Sequence, residues 1–143
     1  MPEDEKVLLV VQEWVQKAEN DLRNAAHTLT MRAHCPTDTV CFHAQQCVEK
    51  YIKALLTLLG IDYPQTHSVD ILTSLIPSDN RPELTSGEQD RLTEYATVTR
   101  YPGNYEPIPT AEAKQAVKIA RRVRKNIRSL LPDAALRFRG ADR

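Results

Sequence analysis

Arg100, Tyr101, Asn104 and Tyr105 stand in the run RYPGNYEPIP, Arg100 to Pro109, which holds three prolines and one glycine. Proline fixes φ and lacks an N–H, so no helix continues through this stretch and its backbone freedom is low. An arginine and phenol rings on such a loop suit a phosphate and a nucleobase. The guanidinium forks onto phosphate oxygens, and a ring stacks on a base. The same residues also suit a structural loop, with the arginine capping helix carbonyls and the tyrosines packing a bundle end. Both readings stay open. His43 and Lys50, with Gln46 and Lys53, share one side of a helical segment. They complete the set of candidate ligand-binding residues: Arg100, Tyr101, Asn104, Tyr105, His43 and Lys50.

Other constellations carry less. His43 and Cys47 are four apart on one helix, with His34, Cys35 and Cys41 nearby. Zinc needs three or four converging ligands, and Cys41 points away from His43, so no metal site is expected and the thiols read as buried and inert. His67 precedes a helix start and reads as a loop histidine that orients the turn through hydrogen bonds. No nucleophile elbow, Gly-rich phosphate loop or paired catalytic acids are evident, and no cofactor is implied. Lys114, Lys118, Arg121, Arg122, Arg124, Lys125 and Arg128 form a basic outer face on the last long helix. That face suits an RNA backbone, or it is a solvated face partly paired with an acidic neighbour such as the first helix.

These residues must be positioned by helices. The segment Thr39 to Leu59 is free of Gly and Pro. Val40, Ala44, Cys47, Val48, Tyr51, Leu55, Leu58 and Leu59 recur at helical spacing, and Phe42, Ile52 and Leu56 widen the apolar surface. Gly60 offers the stop. A helix this apolar belongs at the centre of a bundle. Val7 to about Ala33 predicts a first long helix with Trp14 as a core anchor, after a frayed, polar Met1 to Lys6. Ser68 caps a short helix, Val69 to Ile76. Thr85-x-x-Glu88 and Ser86-x-x-Gln89 are overlapping capping boxes that open a helix to about Thr99. Thr110 caps the last long helix, which runs to Leu131 and is ended by Pro132. The expected architecture is all-α: an up-and-down antiparallel bundle of about five helices. It forms one domain over residues 1–143, with an ordered core at about 7–131 and a flexible tail at 132–143.

Composition bounds the function classes. The 143 residues suit one core, and hydrophobic residues make up 41% with aromatics at 6%, so aliphatic side chains must build it. Nineteen basic and nineteen acidic side chains give a formal net charge of zero, which argues against a generic polyanion binder but not against a local basic patch. No apolar run approaches the ~20 residues that span a bilayer, and the acidic start is unlike a secretory signal. The expectation is a soluble, cytoplasmic protein with no membrane partner. Three cysteines, two of them on the central helix, argue against a disulfide framework.

The central run FHAQQCVEKYIKALLTLLG, the Pro-Gln-Thr-His-Ser loop at residues 64–68 and the Thr-Arg-Tyr-Pro turn at residues 99–102 together resemble the HEPN (higher eukaryotes and prokaryotes nucleotide-binding) domain family. The resemblance runs from about Trp14 to Leu131. It implies a helical bundle that dimerises, and small members of the family are often encoded beside a minimal nucleotidyltransferase as toxin–antitoxin pairs. Many members are metal-independent ribonucleases whose motif is an Arg followed, after four to six residues, by a His. Arg100 matches the arginine, and Tyr105 stands where the shortest spacing places the histidine. A phenol of pKa about 10 is a poor general base at neutral pH. The resemblance therefore favours a protein that binds nucleotide or RNA and associates with a nucleotidyltransferase partner. The alternatives are a ribonuclease toxin using Arg100 with a degenerate motif, and a purely structural partner subunit.

Overall fold

The computed structural model describes residues 3–97 and 106–137. Its helices are α1 (Glu3–Thr28), α2 (Thr37–Leu58), α3 (Val69–Ser74), α4 (Ser86–Thr97), α5 (Thr110–Arg128) and α6 (Asp133–Leu136), with 3-10 segments at Leu29–His34 and Ser78–Asn80. No strand occurs among the described residues, and no helix among them is long and apolar enough to cross a membrane. The expected all-helical bundle is the observed fold.

α2 is the organising element. It lies along α1 and also packs on α5 and α4. Val40, Ala44, Val48, Tyr51, Ile52, Leu55 and Leu56 of α2 join Val11, Val15, Ala18 and Ala25 of α1 and Ala113, Ala120, Val123 and Ile127 of α5 in one buried core. The helix stops as its sequence predicts. Gly60 adopts φ +70°, Ile61 N–H donates to the Leu56 carbonyl at 2.9 Å, and Gly60 N–H donates to that of Thr57 at 3.1 Å. This pair of bonds is a Schellman stop, and only glycine takes that φ without strain. Phe42 differs from the expectation: it is exposed, while Ile52 and Leu56 are buried as expected.

Several boundaries are corrected. α1 begins at Glu3, because Glu3, Asp4 and Glu5 sit in its first turn, where acidic side chains favour the positive end of the helix dipole. Met1 and Pro2 lie outside the described residues. α1 ends at Thr28 rather than near Ala33, since Arg32 takes a left-handed φ of 55° in the following 3-10 segment. Trp14 is only partly buried, on the rim of the core. The Thr85–Glu88 capping box forms reciprocally: Thr85 N–H donates to Glu88 Oε1 at 3.0 Å and Glu88 N–H to Thr85 Oγ1 at 3.1 Å. The Ser86–Gln89 box does not form, because the Gln89 amide donates to the Leu84 carbonyl instead. Ser68 and Thr110 do not cap through their side chains. Ser68 Oγ bonds the Asp70 carboxylate, and Pro109 holds the N-cap position of α5. Within the stretch expected as a tail, Asp133–Leu136 form α6, with Ala135 buried and Gln12 Nε2 of α1 donating to the Ala134 carbonyl at 2.6 Å, while residues 138–143 lie outside the described residues.

Candidate functional site

The polar side chains of α2 are tied into hydrogen-bonded groups rather than left as a solvated stripe. His43 and Lys50 converge on one carboxylate, Asp21 of α1. His43 Nδ1 lies 2.8 Å from Asp21 Oδ1, and Lys50 Nζ donates to Oδ2 at 2.5 Å. The two residues are seven apart, two turns of helix, so both project from one face toward the adjoining α1. Asp21 is largely buried, whereas the side chains of His43 and Lys50 remain 24% and 21% exposed. The carboxylate fixes the orientation of the His43 ring through Nδ1, and the Lys50 ammonium keeps two further donors. The Phe42 ring meets His43 edge-on, with centroids 5.4 Å apart. This arrangement can present an oriented imidazole and an anchored cation to a phosphate.

A second polar group on α2 is internal. Glu49 is buried, and its Oε2 accepts from Lys53 Nζ at 2.8 Å. Its Oε1 accepts from Gln45 Nε2 at 2.9 Å and lies 2.8 Å from His67 Nδ1. Gln46 Nε2 donates to Gln45 Oε1 at 2.6 Å. Burial pushes the Glu49 carboxyl up, but hydrogen bonds from Lys53, Gln45 and His67 outweigh it and hold the group below the usual carboxylate value. Lys53 Nζ also sits 5.5 Å from the Trp14 ring centroid and 5.9 Å from that of Tyr63, and Trp14 Nε1 donates to Tyr63 Oη at 3.1 Å. Glu49 and Lys53 thus pin the loop at residues 63–68 to α2, and His67 orients that turn as its sequence position suggests. Lys53 and Gln46, read from the sequence as neighbours of His43 and Lys50, are buried.

A third polar group joins the helices on the opposite side of α1. Glu19 accepts from Tyr51 Oη at 2.6 Å and from Arg124 through both oxygens, Nε at 2.7 Å and Nη2 at 2.9 Å. Arg128 completes it, 3.6 Å from Glu19 and donating to Tyr51 Oη at 3.3 Å. Burial alone would raise the Glu19 carboxyl, yet the Arg124 and Tyr51 bonds keep it low, while burial and Glu19 push the Tyr51 phenol up. This group is a structural clamp between α1, α2 and α5.

Of the sequence-derived candidates, His43 and Lys50 meet at one carboxylate. Arg100, Tyr101, Asn104 and Tyr105 lie outside the described residues. Where the chain is next described, Ile108 is tied to the first turn of α2, its carbonyl accepting from Thr37 Oγ1 at 2.7 Å. Thr37 precedes His43 by six residues, about 9 Å of helix. Asp21 and Glu19 were not singled out in the sequence. Asp21 carries a legible signal all the same: it lies three residues after Ala18 and four before Ala25, an inward position in the apolar rhythm of α1. Cys47 is buried, and its thiol is pushed up by burial and by the Glu19 and Asp21 charges. No cluster of metal-ligating residues occurs among the described residues.

The HEPN domain family profile matches residues 11–130. No curated protein matches the sequence. Two solved structures share the fold. The archaeal HEPN homologue ST0689 is 26% identical, with a TM-score of 0.64 over 84% of this chain and 96% of its own. TT1696 from Thermus thermophilus is 25% identical, with a TM-score of 0.68 over 85% of this chain and 98% of its own.

Proposed function

Because the chain belongs to the HEPN domain family, we propose that it is a nucleotide- or RNA-binding member that takes phosphate at the Asp21–His43–Lys50 group and works with a minimal nucleotidyltransferase partner. The observation that carries this reading is the convergence of His43 and Lys50 on Asp21 at a partly open surface. A carboxylate that serves only to neutralise Lys50 has no need of a second, oriented ring. One that holds both groups orients the imidazole and anchors the Lys50 ammonium, which lowers the ordering cost of binding an anion. In the proposal Arg100 adds a fork for a second phosphate oxygen, and Tyr101 or Tyr105 stacks on the base. Binding rather than cleavage follows from Tyr105, since a phenol does not serve as a general base at neutral pH.

Calorimetric titration with ATP and with a short single-stranded RNA, beside an RNA-cleavage assay, tests the reading. Lys50→Ala and Arg100→Ala should each weaken nucleotide binding at least tenfold, and Arg100→Lys should weaken it less, because it keeps the charge but loses the fork. Tyr105→His adds a group of pKa about 6.5 and should introduce or raise cleavage. Cleavage present in the wild type and lost in Arg100→Ala would show a ribonuclease instead. Unchanged binding in both alanine variants would refute the site. The family resemblance also implies a homodimer. Light scattering alone and after co-expression with a nucleotidyltransferase measures both associations.

A further inference from the structure

The basic outer face of α5 divides into two chemically different halves. Arg122, Arg124 and Arg128 are consumed by the fold: Arg122 pairs with Glu88 of α4 at 2.9 Å, and Arg124 and Arg128 pair with Glu19. Lys114, Lys118, Arg121 and Lys125 are exposed, and none has a carboxylate partner among the described residues. Their steps of four, three and four residues place them within about 60° of one helix face and along about 16 Å of its length. Beside them, a cavity of about 260 Å³ between α1 and α5 is lined by Glu19, Leu22, Arg23, Ala26, Arg121 and Arg124. Arg23 adds another exposed cation there, bonded only to Asn20 of its own helix, at 3.4 Å, among the described residues. A protein with no formal net charge thus concentrates five exposed, uncompensated cations on one ridge and its groove.

We propose that this ridge is a docking track for the sugar–phosphate backbone of single-stranded RNA, separate from the Asp21–His43–Lys50 group. Cations about 5–6 Å apart along a straight line match a repeating anion rather than a single phosphate. The track itself carries no large apolar side chain. A protein partner would need a desolvated apolar centre, and a membrane surface would need apolar groups to insert beside the cations. Among the described residues the apolar lining is in the groove, where Leu22 and Ala26 offer a small floor for a base beside the Arg23 and Arg121 guanidinium groups. The choice of RNA rests on the functional reading above; the position of the track rests on the charges alone.

The test is fluorescence anisotropy with a labelled 12-nucleotide single-stranded RNA from 50 to 200 mM salt. It compares the wild type with the combined variant Lys114→Gln, Lys118→Gln, Arg121→Gln and Lys125→Gln, and with Lys50→Ala. The four positions are exposed, so the circular dichroism and thermal midpoint of the combined variant should match the wild type. Neutralising four phosphate contacts should make the log–log salt slope shallower by about 3 and weaken binding at 50 mM at least tenfold. The charge-preserving set Lys114→Arg, Lys118→Arg, Arg121→Lys and Lys125→Arg should restore both. RNA binding and slope unchanged in the glutamine variant would overturn the track, even with Lys50→Ala impaired. Loss in the glutamine variant with ATP binding intact would support it, whatever Lys50→Ala does. Wild-type binding to phosphatidylserine vesicles or polyglutamate but not to RNA would overturn it, and ATP titration would then still judge the functional reading separately.

Discussion

Glu49→Ala should destabilise the protein by about 3–5 kcal/mol, a large part of the total stability of a domain this size. The carboxylate is 4% exposed and serves Lys53, Gln45 and His67 at once. Its removal leaves the Lys53 ammonium, itself only 10% exposed, without its counter-ion, and it strips the acceptor from a buried amide. Urea unfolding of the variant measures the loss. The double variant Glu49→Leu with Lys53→Met should recover most of it, because a buried pair exchanged for apolar groups of similar volume is often neutral. A loss below about 1 kcal/mol in the single variant would mean that water reaches the pair.

The same carboxylate gives stability a defined pH dependence. Glu49 and Glu19 are both held below the usual carboxylate value of 4.5 in the folded protein. A depressed acid binds its proton less tightly when folded, so its contribution is complete above the unfolded value and is lost as pH falls through the folded one. Stability should therefore be level near neutrality and decline below about pH 4.5. Glu49→Gln should flatten part of that decline, which a pH series of urea midpoints reads directly.

How far the sequence could be read depended on what each residue's neighbours were. Local rules sufficed for the Gly60 stop and the Thr85–Glu88 box, because the partners of those bonds lie within five residues in the chain. Apolar spacing sufficed for the course of α2, since a buried helix must repeat its pattern with the helical period. The polar contacts were less accessible. Asp21 meets His43 and Lys50 across twenty-two and twenty-nine positions, and Glu19 meets Arg124 across 105, separations at which no periodicity reports contact. α6 was missed for a related reason: one helical turn, Asp133–Leu136, owes its order to packing on α1 rather than to its own propensity. The basic face of α5 was visible as a charge run. Which of its members are free required knowing that Glu88 and Glu19 sit opposite only three of them.

Leu55→Ala should cost about 2–5 kcal/mol, while Phe42→Ala, on the same helix, should cost less than about 0.5 kcal/mol. Sequence pattern alone assigns both residues to the apolar surface of α2. The structure separates them. Leu55 is 1% exposed within the core shared with α1 and α5, and Phe42 is 40% exposed with its ring against His43. Truncating Leu55 removes buried contacts and leaves a cavity that helices packed on several sides cannot close. Truncating Phe42 removes a ring that already meets water over 40% of its surface, so a loss that depends on protein concentration must come from a second copy that covers it. Urea unfolding of the two variants at low and at high protein concentration tests this. Equal, small losses for Phe42→Ala at both concentrations would leave it a solvated ring. A loss that grows with concentration would place Phe42 in a homodimer interface, because association adds stability by mass action only where the interface is intact. A Leu55→Ala loss below about 0.5 kcal/mol would contradict the packing of α2 at the centre of the bundle.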